Sequence, residues 1–435
     1  MNPAEKSLIA AFAPAPREPS WLAEARGVAL ARFEELGLPT TRHEDWRFTN
    51  LAGLGAIELR RAGPEGARGG SGLLAREVEG PRLVFVNGRF RADLSSDAGM
   101  PAGTILTSLS EALRRAPDEV RPHLGRLAPP DGHAFVAANT ALFQDGAFLR
   151  IPANAHVDAP VSLVHLTDVS APAAAHPRTL IVAGEGARAT IEEVFGGSTL
   201  VPYLTNAVTE IVLGAGATIE HVRVQREGAA AYHVSVLHAE QGAGSSLSAH
   251  AFSLGARLSR AEIRARLVGE GARVAANGLT MAAGDQVVDN FSWVEHAAPR
   301  CTTTESYKGI LDGKSRGVFS GRIRVLPGAQ KTVAYQMSSN LLLSDDAIVD
   351  AKPQLEIFAD DVKCGHGGTV GQLDAAALFY LRSRGLGEAE ARSLLIWGFA
   401  SEMVALVGAP ALRARARNFV ASRLPAGARI LEMAA

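Results

Sequence analysis

A four-residue cassette returns along the middle of this 435-residue chain: Gly184-Glu185-Gly186-Ala187, Gly214-Ala215-Gly216-Ala217, Gly242-Ala243-Gly244-Ser245 and Gly269-Glu270-Gly271-Ala272. The starts are 30, 28 and 27 residues apart. Leu180-Ile181-Val182, Ile211-Val212-Leu213 and Leu267-Val268 precede three of them. Thr190-Ile191-Glu192-Glu193-Val194, Thr218 to Val224 and Arg273-Val274-Ala275 follow. Pro327-Gly328-Ala329 lies 57 residues beyond Gly271, two further periods. A strand–turn–strand unit repeating at about 28 residues reads as a β-solenoid, because each coil can bury its faces only by stacking on the next. Glycine lets the backbone turn sharply at each corner. The sheets should be parallel, around a column of small and branched side chains. The 44 glycines and only 6% aromatic residues suit such thin, tightly turned layers. A β-sandwich is the competing architecture, but it would turn about every 8–12 residues with stricter alternation.

The spacing divides the chain into an N-terminal helical region (1–62), a mixed segment with linker and hairpin (63–149), the solenoid core (150–372) and a C-terminal helical region (373–435). Ser20 can cap a helix over Trp21 to Leu36, with Leu22, Ala25, Ala29, Phe33 and Leu36 on one stripe and Gly37 and Pro39 as the stop. Gly63 to Gly72 reads as a linker. Asn87-Gly88 between apolar runs signals a two-residue hairpin, since both turn positions need positive φ. Asp374 can cap a helix ending at Gly385. A second helix from about Glu388 carries Leu395, Phe399, Met403 and Leu406 at helical spacing. Leu412 to Leu424 is a third candidate.

The formal charge of −1 supplies no field for nucleic acid or an anionic membrane. The longest runs free of Asp, Glu, Lys and Arg, 194–209 and 241–256, contain Gly, Ser or Pro and cannot span a bilayer. The apolar run Leu8 to Ala13, broken by Pro14 and Pro16, does not read as a secretory signal. Two cysteines, Cys301 and Cys364, make no disulfide framework and fit a cytoplasmic protein.

Several groups could carry chemistry. Gly309 to Ser315 resembles a phosphate loop but has three residues between its glycines instead of four, and no helix should follow. It reads better as a solenoid turn. His233, His238 and His250 fall in neighbouring coils and could stack close, or each be satisfied locally. The doublets Asp345-Asp346 and Asp360-Asp361 would point to opposite faces of a strand, so neither makes a carboxylate pair. Cys364-Gly365-His366 differs, because residues i and i+2 of a strand share a face and thiol and imidazole could converge on one ion. Two ligands leave such a site incomplete, so the rest would come from elsewhere. A buried cysteine beside an incidental histidine is the bland alternative.

Cys364 to Gly371 followed by Leu378 to Gly385 resembles the C-terminal signature of the SufB/SufD superfamily of SUF iron–sulfur cluster assembly proteins. Glu44-Asp45-Trp46-Arg47-Phe48-Thr49, Lys308-Gly309 to Gly321, Gln336 to Leu343 and Ala351 to Ile357 are similar to further blocks. The SufD branch is the better match, since an N-terminal cysteine cluster is missing. The resemblance implies a right-handed parallel β-helix between helical ends, which agrees with the repeat. It also implies a non-enzymatic subunit that pairs with SufB through the β-helix and binds the ATPase SufC through its C-terminal helices. Leu395, Phe399 and Met403 are then the expected anchors for SufC. His366, with Cys364 nearby, would serve a nascent iron–sulfur cluster shared with SufB, His366 as an iron ligand. Reduced flavin would enter at the level of the complex and ATP only through SufC. Without SufB the chain could form a homodimer through the same surface. A β-helix carbohydrate-active enzyme is the alternative function, disfavoured by the scarcity of aromatic rings.

Overall fold

The computed structural model describes residues 1–12, 18–63, 78–197 and 200–433. Of the expected linker Gly63 to Gly72, all but Gly63 lies outside the described residues. At each cassette the chain passes from one sheet to the other. Arg178–Ala183 leads to Arg188–Gly197, Tyr203–Leu213 to Thr218–Arg226, Tyr232–Gln241 to Ser246–Ser253, and Leu258–Leu267 to Arg273–Ala282. Three further pairs extend the stack: Val287–His296 with Thr302–Leu311, Arg316–Val325 with Val333–Leu342, and Ile348–Ile357 with Lys363–Gly371. Strands pair in parallel within each sheet, one coil above the last. The architecture is therefore a parallel β-solenoid, mainly β, flanked by helices at both ends of the chain.

The cassette positions have separate jobs. The first glycine allows close stacking, since a Cβ on Gly269 would lie 1.9 Å from Ala243 N. The third residue holds positive φ, 64° at Gly186 and 72° at Gly271, where an L side chain is strained. The fourth residue is buried in every case: Ala187, Ala217, Ser245 and Ala272. Near these turns the lumen is apolar, with Ile191, Ile219, Leu247 and Val274 facing Ile211, Ile263 and Ile323. This is the column of branched and small residues that the repeat calls for.

The two ends of the solenoid differ. At the N-terminal end, Ile105–Ser108 runs antiparallel to Gly146–Ile151, and Arg82–Val86 lies beside Val161–Thr167. The hairpin Arg82–Val86 to Arg89–Phe90 closes that edge, with Asn87 at φ 53° and Gly88 at φ 74°. At the C-terminal end, Ile348–Ile357 and Lys363–Gly371 each pair on one side only, among the described residues.

Helices cover the outer faces of the sheets. Ser20–Leu36 packs on Ala134–Leu142 over Val208, Val234, Val236 and Leu258 of the first sheet. Ser20 is the first residue of that helix and not its cap; the carbonyl of Pro19 accepts from Leu22 and Ala23 instead. The Glu44–Thr49 block straps this layer down. Trp46 stacks on Phe135 at 5.3 Å and lies under the Arg260 guanidinium at 4.0 Å, while Thr49 Oγ1 donates to Asp289 at 2.5 Å.

The C-terminal helices are Ala375–Ser383, Glu388–Ala405, Pro410–Ala421 and Gly427–Met433. Asp374 caps the first through its side chain, and Gly385 follows at φ 92°. The last helix carries no feature that the spacing had marked. Ile396, Ala400, Met403, Val404 and Val407 pack on Val222, Val224, Phe252, Leu279 and Ile310 of the second sheet. Each of the larger side chains gains about 1.5–3 kcal/mol on burial, and Ala400 less. Two ion contacts fix the layer: Arg415 to Glu192, and Glu220, which accepts from the backbone of Gly408 and Ala409.

Candidate functional site

The last strand, Lys363–Gly371, positions the Cys-x-His pair. Cys364 stacks in register on buried Ala334, and His366 on buried Gln336. Both therefore belong to the inward column of the second sheet, at the end where no further coil covers it. Cys364 packs against the edge of the apolar lumen, and burial pushes its thiol pKa up. The adjacent glycines lie outward, under Tyr335 and Met337; a Cβ on Gly367 would sit 2.9 Å from Met337 Cε. A bulkier residue there would displace the end of the exposed Met337 side chain. Among the described residues no group of three or more His, Cys, Asp and Glu is arranged to hold a metal ion. The end thus offers one thiol and one imidazole, too few to close an iron site.

Below His366 the inward column turns polar. Gln336 Nε2 donates to Glu305 Oε2 at 3.1 Å, and Ser292 Oγ donates to the same oxygen at 2.7 Å. Glu305 is fully buried without a cation, and this desolvation pushes its carboxyl up to about 7. Sequence reasoning did not find Glu305. On an alternating strand a charged residue suggests solvent, and here the alternation carries it inward.

The other candidates separate. His233 lies in the lumen 2.6 Å from Glu227, His250 lies 3.5 Å from Glu220 near the C-terminal helices, and His238 faces the N-terminal layer beside Arg264. They do not converge. Both acid doublets sit in exposed turns and not on strands, Asp361 being paired with Lys331. The Gly309–Ser315 segment is a strand end and a turn, followed by the strand Arg316–Val325.

The helical stripe is partly used. Met403 is only 2% exposed, held against the second sheet. Phe399 is half-buried, with the Lys308 ammonium 4.3 Å above its ring, and Leu395 is half-buried. The most exposed apolar side chains of the C-terminal region, among the described residues, are Phe379 at 75% and Tyr380 at 55%, on a helix with no buried residue, ahead of Met433 and Leu406.

With this geometry in hand, comparison with known proteins gives a consistent answer. Residues 165–399 match the family described as "SUF system FeS cluster assembly, SufBD core domain", and residues 76–163 match "SufBD protein N-terminal region". A Synechocystis protein named "Iron-sulfur cluster assembly SufBD family protein slr0076" is 35% identical over 418 residues, covering 93% of this chain and 92% of its own length. The Escherichia coli "Iron-sulfur cluster assembly protein SufD" is 33% identical over 406 residues, covering 92% of each. Its Bacillus subtilis namesake is 28% identical over 410 residues, covering 92% of this chain and 93% of its own.

Proposed function

Because the chain belongs to the SufBD family of iron–sulfur cluster assembly proteins, we propose that it is a non-catalytic scaffold subunit that pairs with SufB and binds the ATPase SufC. The observation that carries this reading is the bare C-terminal end of the solenoid. Its two edge strands have unpaired backbone groups, which a second β-helix can satisfy by strand addition. The same end carries Cys364 and His366. A partner seated there would add the missing ligands, so that a nascent cluster forms in the shared junction with His366 as an iron ligand. Cys364, held back by its packing, contributes less. Without SufB, a second copy can occupy the same edge.

SufC docks on the C-terminal helices. Phe379 and Tyr380 are the available anchors, with Phe399 and Leu395 at the margin, while Met403 supports the layer from behind. ATP enters the assembly only through SufC, and reduced flavin acts at the level of the complex in the cytoplasm. Among the described residues no helix is long and apolar enough to cross a membrane. Membership in this family leaves the carbohydrate-active alternative without support.

The test is reconstitution on the co-expressed complex. His366→Ala removes a ligand and little buried apolar area, so the complex should assemble and hydrolyse ATP while cluster absorbance falls sharply. Cys364→Ser should lower it less. Full cluster yield on an intact His366→Ala complex would remove His366 from the site.

A further inference from the structure

The outer face of the first sheet is apolar under the N-terminal helices, at Val208, Val234, Val236 and Leu258. Two residues beyond Val236 along the strands it becomes polar. His238, Arg264 and Trp293 stack there in register, with Glu240, Arg266 and Glu295 in the next outward column. The loop 125–133 arches over them. Glu210 pins its start by accepting from the backbone of Gly125, Leu127 and Ala128 at 2.8, 2.9 and 3.2 Å. His133 fixes its end, 3.1 Å from Glu262. Between this loop, the strap residue Asp45 and the sheet lies a cleft of about 600 Å³. That is the size of a small-molecule site. Leu127, Pro129 and the half-buried Trp293 ring supply its apolar surface.

The floor and the mouth of the cleft have opposite needs. At the floor Arg264 is 17% exposed, and its Nε and Nη2 donate to Glu262 at 3.2 and 3.1 Å. Its Nη1 donates to no group among the described residues. Trp293 Nε1 and His238 Nε2 are buried without a partner, and burial holds the His238 ring neutral, its pKa lowered to about 3. Orphaned groups of this kind destabilise the empty protein. At the mouth, Asp45 and Asp131 are 36% and 79% exposed, with Arg322 at 3.8 Å and Arg32 at 3.6 Å. Neither carboxylate accepts a hydrogen bond among the described residues, whereas Glu240 and Glu295 are held by Arg126 and Arg266 at 2.9 Å each. Donors below and carboxylates above suit a ligand with one negative and one positive end. We propose that the cleft binds a short peptide with free termini, its carboxylate received by Arg264 Nη1 beside Trp293 and its ammonium by Asp45 and Asp131. Guanidinium–carboxylate bonds are charge-assisted, and capture of a terminal carboxylate or amine is a recurring mode of recognition. The volume holds about two or three residues, and the apolar walls suit an aliphatic side chain. This site does not rest on where clusters form, and no covalent bond is made or broken in it.

The probe is the tripeptide Ala-Leu-Ala, titrated calorimetrically into the full-length chain beside its N-acetyl and C-terminal amide forms. The wild type should bind one equivalent of the free peptide and each blocked form at least about tenfold more weakly. Arg264→Met keeps an unbranched stem against Phe291 and Trp293 and leaves Glu262 its Arg260 and His133 partners. It should lose the preference for acid over amide and keep the preference for free over acetylated amine. The double variant Asp45→Asn/Asp131→Asn should show the converse. This crossed pattern is one that a merely structural role would not give; circular dichroism checks the fold of each chain. Should Arg264→Met fail to fold, the exposed aspartate variant and the blocked peptides on wild type decide the matter. No saturable binding of Ala-Leu-Ala by the wild type at millimolar peptide would overturn the proposal, as would an acid-over-amide preference surviving in a folded Arg264→Met chain. Equal wild-type affinity for the N-acetyl form would also overturn it, and would point to the C-terminal tail of a protein instead of a free peptide.

Discussion

His165 should make the fold acid-sensitive by a predictable amount. Its ring lies between Phe85 and Phe195, 5.0 Å from each and nearly parallel to both. Neither ring nitrogen has a hydrogen-bond partner, and Glu193 is 3.9 Å away. Burial lowers its pKa from 6.5 to about 4, Glu193 offsetting only part of the loss. The folded state therefore favours the neutral ring. Its contribution is complete above pH 6.5 and is lost as pH falls from 6.5 towards 4, because only the unfolded chain takes up the proton in that window. The full shift is worth about 3 kcal/mol, most of which is gone by pH 4.5. His165→Phe continues the ring stack and removes the titration. Urea unfolding followed by circular dichroism, at pH 7.5 and pH 4.5, gives the slope for each chain. The wild type should lose about 2–3 kcal/mol more than the variant over this interval. Other buried histidines, such as His296, contribute equally to both chains and cancel. Equal losses in the two chains would refute the assignment of a buried neutral ring.

Glu305→Gln should act in the opposite pH range. A carboxyl raised from 4.5 to about 7 by burial costs the fold stability as pH rises through that window. The variant should thus gain up to about 3 kcal/mol at pH 8 and nothing at pH 4.5, measured by urea unfolding. Gly269→Ala forces a Cβ into the backbone of the coil below and should cost about 2–3 kcal/mol, seen as a lower thermal midpoint. Met403→Asp buries a carboxylate against Ser306 and the second sheet, so limited proteolysis should release residues beyond 387. Phe379→Asp should leave stability within about 0.5 kcal/mol yet abolish co-purification with SufC.

The coil was legible in the sequence because its cause is local. Glycines at fixed spacing set the corners, and Asn87-Gly88 and Asp374 set their turn and cap within four residues of chain. The content of the lumen was less legible. In the second sheet His221 and Arg223 point inward while Val222 and Val224 point outward. Across part of each coil this inverts the usual rule that the apolar face is the inner one. A period-two pattern cannot say which face is which, so nothing in the spacing singled out Glu305, while the histidines are met locally, His233 by Glu227 and His250 by Glu220.

That inversion explains the helices. An outward row of Val222, Val224, Phe252, Leu279 and Ile310 must be covered, and the helix Glu388–Ala405 covers it with Ile396, Ala400 and Met403. The spacing of Leu395, Phe399 and Met403 revealed an apolar stripe but not its destination, which depends on a sheet more than 80 residues earlier in the chain. With the sheet as its partner, that stripe is largely consumed. The shorter helix Ala375–Ser383 lies against its neighbour helix and buries none of its own residues. Phe379 and Tyr380 therefore remain outside for want of a sheet to cover, beside Arg382 and Arg384. Between Ile396 and Val404 the fold commits Ile396, Met403 and Val404 to its own core and leaves Trp397 and Phe399 half-buried at its edge.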